Sequence, residues 1–225
     1  MDDLGRKIAE QGLRIGAIKL NPENPFQWAS GYRMPIYNDN RMFLFHPDIR
    51  RDIARGLGDV VRSQGVDPEV VAGTATAGIP HGALLAEVLS LPFIYIRDKP
   101  KAHGLKNRIE GLDAESDLGG MRVVVIEDLI STGGSSARAV EAVREANGDC
   151  DWCISIFSYG LEKAEDAFTA MDPPCNFTSL LTFPVLLETA RSGGFLSEGQ
   201  IALLEAWRED PFGWGERHGF PKVEK

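Results

Sequence analysis

Short apolar runs alternate with longer amphipathic segments through the middle of the chain. The run VVVI at 123–126 is continuous and β-branched, which is typical of a strand buried on both faces. Strands and helices that alternate predict an α/β fold, an open and mostly parallel sheet flanked by helices. We expect strands at 69–72, 92–96, 122–126, 152–157 and 177–181, and helices at 47–64, 80–89, 135–146 and 161–169.

The two ends of the chain do not follow this alternation. Residues 1–45 contain a short helix and then a polar-aromatic segment, which we interpret as a hood appended to the sheet. From Leu196 the pattern predicts an amphipathic helix with Ser197 as its N-cap. No linker is visible, so we predict one domain with a hood at about 1–45, an α/β core at about 46–185 and a C-terminal helical tail at about 186–225.

Composition and charge argue against several classes of protein. The 225 residues are 43% hydrophobic, enough for a sizeable core, and the net charge of −9 disfavours a general binder of nucleic acid. No apolar run approaches the roughly 18–20 residues of a membrane helix, and the N-terminus lacks the pattern of a signal peptide. Three cysteines, an odd number, fit a reducing compartment. We therefore expect a cytoplasmic protein that contacts neither membrane nor nucleic acid.

The segment 123–137, VVVIEDLISTGGSSA, carries the strongest chemical signal. Its apolar strand ends in Glu127 and Asp128, acceptors that suit a diol or the water shell of Mg²⁺. Residues 131–136 then place backbone N–H groups, hydroxyls and two glycines at a helix start, which favours a phosphate monoester. A phosphate beside a diol indicates ribose 5-phosphate. The alternative of an acidic Walker B strand would need a G-x-x-x-x-G-K-[ST] loop, and the chain has none.

Two further loops could bind anions. Residues 97–108 hold five basic residues against the single acid Asp98, with His103 beside Gly104, so a positive lid for a diphosphate is one interpretation and a solvated basic loop is the other. The loop T-A-T-A-G at 74–78 lies between a predicted strand and a predicted helix, where its N–H groups could hold an anion or simply form a tight turn.

These segments together resemble a known family. The stretch 123–137 is similar to the 5-phosphoribosyl 1-diphosphate (PRPP) signature of type I phosphoribosyltransferases. SGYRMPIYNDNR at 30–41, AGTATAGIPHG at 72–82 and RDKPKAHGLKNRIEG at 97–111 resemble orotate phosphoribosyltransferases, so the likeness covers most of residues 26–160. The resemblance implies the type I phosphoribosyltransferase fold and transfer from PRPP to orotate, giving orotidine 5′-monophosphate and diphosphate. It also implies Mg²⁺ as cofactor and a homodimer.

The resemblance also implies roles for individual residues, and a cis peptide bond that does not involve proline in the 74–78 loop. It implies that Arg97, Lys101 and His103 reach into the neighbouring subunit's site, and that Mg²⁺ arrives with PRPP near Glu127 and Asp128. The residues expected to act in catalysis are Lys101, His103 and Asp128, and those expected to bind orotate are Ser131 and Tyr37. The residues expected to bind PRPP are Arg97, Lys101, His103, Glu127, Asp128, Leu129, Ile130, Ser131, Thr132, Gly133, Gly134, Ser135, Thr74, Ala75 and Thr76.

The sequence leaves several points open. Arg33, Arg41 or backbone N–H groups could hold the carboxylate of orotate. Some family members have lysines where this chain has Ala29 and Ala77, which leaves the base-binding groups undecided. Two alternative functions share the PRPP signature: a purine phosphoribosyltransferase, and a regulator that senses PRPP.

Overall fold

The computed structural model describes residues 2–98, 108–113 and 116–224, and its first part builds the hood. Helix α1 (Asp2–Ile15) is followed by four short strands, β1 (Ile18–Leu20), β2 (Phe26–Gln27), β3 (Arg33–Met34) and β4 (Ile36–Asn38). They form two antiparallel pairs, β1 with β4 and β2 with β3. A 3₁₀ helix (Asn40–Phe45) then leads into helix α2 (Pro47–Ser63).

A six-stranded sheet forms the centre of the protein. Its strands are β5 (Val70–Thr74), β6 (Phe93–Ile96), β7 (Ile109–Glu110), β8 (Arg122–Ile130), β9 (Asp149–Ser158) and β10 (Asn176–Thr182), in the order β10-β9-β8-β5-β6-β7. All pairs are parallel except β6 with β7. The helices between these strands are α3 (Gly78–Leu89), α4 (Gly134–Glu145) and α5 (Glu162–Thr169). The predicted α/β fold with a mostly parallel sheet is confirmed.

Both faces of the sheet are covered. Val124 and Ile126 belong to the core that also contains residues of α2 and α3, whereas Val123 and Val125 belong to the core formed with α4 and α5. Alternate side chains of β8 therefore enter two different cores, as the continuous run VVVI predicts. The second core also holds the free cysteines Cys150, Cys153 and Cys175, all buried.

Two strands continue beyond their predicted ends. β8 extends through both acids to Ile130, and β9 ends at Ser158. Pairing between them continues at Glu127 with Ser155 and Leu129 with Phe157, because a ladder of backbone hydrogen bonds does not require apolar side chains. The acid pair is therefore part of the rigid sheet and not of the loop that follows it.

The connection between β6 and β8 is only partly described. Instead of an entirely irregular loop, it contains β7, whose Glu110 pairs with Tyr95 and whose Ile109 pairs with Ile96. Residues 99–107 and 114–115 are outside the described part, so the predictions for Lys101 and His103 lie outside the described residues.

Three helices complete the chain: α6 (Phe183–Ser192), α7 (Glu198–Glu209) and α8 (Trp214–Arg217). The predicted cap of α7 is confirmed, since Ser197 and Gln200 form a reciprocal capping box. The end of the chain returns to the hood, where the Val223 N–H donates to the Gly31 carbonyl at 3.0 Å. Among the described residues, no helix combines the length and the apolar character that crossing a membrane requires.

Candidate active site at the carboxyl ends of the strands

Glu127 is the structural centre of the site. Its carboxylate accepts hydrogen bonds from the Thr74 hydroxyl at 2.7 Å, the Asp128 N–H at 3.0 Å and the Ser136 hydroxyl at 3.2 Å. These donors belong to β5, β8 and α4, so one side chain joins three elements at the carboxyl edge of the sheet. Only 7% of Glu127 is exposed. Burial, followed by the neighbouring charge of Asp128, raises the pKa of Glu127 to about 8.

Asp128 is the more accessible of the two acids. It is half-buried, and burial also raises its pKa. The Arg41 charge in the hood opposes this rise. Because the two carboxyl groups are adjacent in a site of low dielectric, hydroxyl donors or a cation that reach them would favour their ionised forms.

The predicted phosphate loop follows directly. Ser131 and Thr132 are half-buried, and Gly133 takes a left-handed φ of 75° as the N-cap of α4. A Cβ at Gly133 would lie 3.0 Å from the Cα of Ala164 in α5, so both conformation and packing require glycine here. The first N–H groups of this 12-residue helix lack intrahelical acceptors and are directed at the loop. The arrangement suits a phosphate group.

The contributions of Leu129 and Ile130 are limited by their place in β8. Ile130 is fully buried and its carbonyl accepts the Tyr159 N–H at 3.1 Å. The carbonyl of Ile130 is therefore committed to the pairing with β9, and its apolar side chain to the second core. In contrast, Ser135 is exposed on the first turn of α4.

The second candidate anion loop lies beside the first. It starts at Thr74, the last residue of β5, and contains a cis peptide bond between Ala75 and Thr76, as the family resemblance implies. Thr76 is exposed and Ala75 half-buried. A side chain at Gly78 would collide with the Thr74 hydroxyl and the Ile126 carbonyl, so glycine allows α3 to begin against β8.

Arg97 is the first residue of the basic segment 97–108, of which the structure describes residues 97, 98 and 108. Its guanidinium donates to Glu110 at 3.1 Å, which joins the end of β6 to β7. Its backbone is held by Arg108, whose carbonyl accepts the Arg97 N–H at 2.8 Å. Arg97 thus has a structural contact within its own chain in addition to its expected role in binding PRPP.

The hood borders the site through the segment after β4. Tyr37 is 40% exposed and its ring lies 5.9 Å from that of Phe26. Arg41 forms two hydrogen bonds with Asp39, at 2.6 and 2.8 Å, which lower the pKa of Asp39. The Arg41 guanidinium also interacts with the Asp128 charge, whereas Arg33 in β3 lies beside residues 219–223 at the end of the chain, so of the two arginines Arg41 is the one placed near the acid pair.

Two contacts of the site were not predicted from the sequence. Ser136 belongs to the stretch 131–136 expected to bind phosphate, yet its hydroxyl is buried and donates to Glu127. The Nδ2 of Asn40 donates to the backbone carbonyl of Asp128 at 2.6 Å, across 88 residues of sequence. No local pattern could have indicated that contact.

Comparisons with known proteins agree with this geometry. A sequence profile of the phosphoribosyl transferase domain matches residues 40–166, which span the acid pair and both anion loops. The fold and site therefore define a phosphoribosyltransferase.

Individual relatives show which kind of phosphoribosyltransferase this chain resembles. The chain is 43% identical to an orotate phosphoribosyltransferase of Lactiplantibacillus plantarum, covering 96% of this chain and 99% of the relative. It is 46% identical to that of Halalkalibacterium halodurans, covering 91% and 94%. The crystal structure of orotate phosphoribosyltransferase from Aeropyrum pernix superposes with a TM-score of 0.69 at 27% identity, covering 84% of this chain and 99% of that one. The chain belongs to the orotate phosphoribosyltransferase family.

Proposed function

We propose that this protein transfers the 5-phosphoribosyl group of PRPP to orotate, producing orotidine 5′-monophosphate and diphosphate for pyrimidine synthesis. The observation that carries the proposal is the joining of Glu127, Asp128 and the phosphate loop at one edge of the sheet, in a chain with full-length similarity to orotate phosphoribosyltransferases. In this proposal the acids hold the ribose hydroxyls, Ser131–Ser135 hold the 5′-phosphate, and residues 74–76 contact the diphosphate.

The residues at the site fit a requirement for Mg²⁺. Carboxylates and hydroxyls are the oxygen donors that Mg²⁺ prefers, and this cation usually keeps several waters and bridges phosphates. Glu127 and Asp128 would lie near a Mg²⁺ brought in with PRPP, which would supply charge stabilisation for the leaving diphosphate. The chain itself then positions the sugar, because β8 fixes both acids on a rigid strand.

The chemistry requires exclusion of water but no covalent nucleophile. Departure of diphosphate leaves positive charge on the ribose, which water would capture unless the site is closed. A ring nitrogen of orotate attacks instead, with Tyr37 and Ser131 beside the base. Arg97, Lys101 and His103 would neutralise diphosphate from the neighbouring subunit of a homodimer. The buried free cysteines support a reducing cytoplasmic location.

The test is orotate consumption that depends on both PRPP and Mg²⁺. Adenine, guanine, hypoxanthine, xanthine and uracil serve as competing bases. Turnover of orotate alone is the expected result. Turnover of a purine instead would contradict the assigned base, and PRPP binding without turnover of any base would favour a regulator.

A further inference from the structure

The peptide groups on both sides of Asp128 are held by side chains. The N–H of Asp128 donates to Glu127, which lies in the same strand. The carbonyl of Asp128 accepts a hydrogen bond from Asn40, which lies in the hood. These two peptide planes set the direction of the Cα–Cβ bond of Asp128, so the hood and the strand both determine where its side chain starts.

Asn40 occupies a position where an amide is costly. It is fully buried, and its Oδ1 has no hydrogen-bond partner in the described part of the chain. Its neighbour His81, on α3, is 1% exposed, has both ring nitrogens unpaired within the same described ranges, and lies beside the Asn40 backbone. An unsatisfied buried polar atom destabilises the folded state, a cost that leucine would avoid. The contact that an amide makes and leucine cannot make is the donation to Asp128.

We propose that Asn40 is a positioning residue for the phosphoribosyl donor: by holding the Asp128 carbonyl it directs the Asp128 carboxylate towards the ribose and links the hood to the ribose subsite. Asn40 itself does not touch the reacting atoms. This inference rests on the proposed function, in which PRPP is the substrate and Asp128 holds the hydroxyls of its ribose.

The local structure supports this role. Asp39 caps the 3₁₀ helix by accepting the Arg41 N–H at 3.2 Å, so Asn40 is the first residue of an ordered turn. Its backbone is therefore fixed within the hood, while its side chain is held by the bond to β8. A fixed donor can hold the Asp128 peptide in one orientation before substrate arrives, which lowers the cost of arranging the site.

The decisive variant is Asn40→Leu, which keeps nearly the same volume and removes the donor without adding charge. We expect the KM for PRPP, and its Kd measured without any base, to rise at least about fivefold, the effect of one lost buried hydrogen bond. The KM for orotate should change less than about twofold. The thermal unfolding midpoint should stay equal or increase, because an unpaired buried amide oxygen is also removed.

A matched control is available at the opposite edge of the sheet. The Nδ2 of Asn176 donates to the backbone carbonyl of Asp151 at 3.3 Å, so Asn176→Leu removes the same type of bond far from the site. This variant should leave every kinetic constant unchanged. If Asn40→Leu does not fold, Asn40→Ala is the second variant, since it removes the donor without adding charge or volume. The same selective loss of PRPP affinity is expected.

The possible results separate the proposals. A selective rise in the Kd and KM for PRPP at retained stability supports the positioning role. Unchanged PRPP affinity, equal changes in both KM values, or a loss of activity that only parallels a loss of stability would overturn it. The PRPP Kd is read without a base, so an error in the assigned base would leave this test valid.

Discussion

The carboxyl and amino edges of the central sheet are built in different ways. At the carboxyl edge, Glu127 and Asn40 are buried and committed to contacts within the site. At the amino edge, Arg122 pairs with the exposed Asp67 at 3.0 Å and with Glu69 at 3.3 Å. The ion pairs at the amino edge remain solvated, whereas Glu127 and Asn40 at the carboxyl edge have lost water.

This difference separates function from stability. Exposed ion pairs contribute little because water and salt screen them. Buried polar groups cost free energy, which a protein accepts where the same groups recognise a ligand. Substitutions at the carboxyl edge should therefore reduce activity without reducing stability, and substitutions at the amino edge should change both only slightly.

The largest effect is expected for Asp128→Asn. The change removes the charge and one acceptor from the accessible acid, so kcat/KM for PRPP should fall about 100-fold, the usual effect of losing one preorganised electrostatic contact. The unfolding midpoint should be unchanged or higher, since the buried charge is gone. Steady-state kinetics and thermal unfolding measure the two effects. Asp151→Asn at the amino edge is the control, and an equal loss in that variant would contradict the comparison.

Glu127→Gln should raise the stability of the protein at neutral to alkaline pH while it lowers the affinity for PRPP. The pKa of Glu127 is raised from 4.5 to about 8, so between these values the folded state binds more protons than the unfolded state. The stability contributed by this group is present at low pH and is lost as pH rises from about 4.5 to about 8. A glutamine avoids that loss and can keep contacts with Thr74 and Ser136.

At pH 8 the glutamine variant should therefore be more stable than the original protein, by on the order of 4 kcal/mol. The difference should shrink towards pH 5. Urea unfolding across this pH range is the measurement. PRPP affinity should decrease in the same variant. A constant difference in stability at every pH would show that Glu127 is ionised in the folded protein.

The fold was predictable from sequence to a greater extent than the contacts within the site. The run at 123–126 predicted a doubly buried strand because apolar continuity is a local property. The extension of β8 to Ile130 was not predicted, since it depends on pairing with β9. Helix α6 was also missed: it begins with Phe183, directly after the apolar β10, and Pro184 at its start resembles a strand end.

Within the site, the local motif could be predicted from the sequence, whereas the contacts between distant segments could not. Glu127, Asp128 and the phosphate loop are contiguous, so their residue types and spacing predicted their proximity. The bond from Asn40 to Asp128 spans 88 residues. His81 lies within a recognised segment, yet its burial beside Asn40 follows from how α3 packs against the hood.

A smaller effect is expected for His81→Leu. Burial lowers the pKa of His81 from 6.5 to about 4, so between these values the unfolded state binds more protons. The original protein should lose stability relative to the variant as pH falls from about 6.5 to 4, by on the order of 2 kcal/mol. Differences in urea midpoint at pH 7 and pH 5 test this. A difference that does not change with pH would mean that the imidazole binds its proton equally well in the folded and unfolded states.

The smallest effect is expected for Arg122→Ala at the amino edge. The side chain of Arg122 is 50% exposed, so its pairs with Asp67 and Glu69 are screened by solvent. Its Nε also donates to the Asp67 backbone carbonyl at 2.7 Å, so Arg122 contributes one hydrogen bond to stability in addition to its ion pairs. We expect a loss of about 1 kcal/mol or less in unfolding free energy, smaller at high salt, with kcat and both KM values unchanged. Urea unfolding at low and high salt measures this loss. A salt-independent loss above about 2 kcal/mol would contradict the comparison, because it would mean that Arg122 makes a buried polar contact at the amino edge as well.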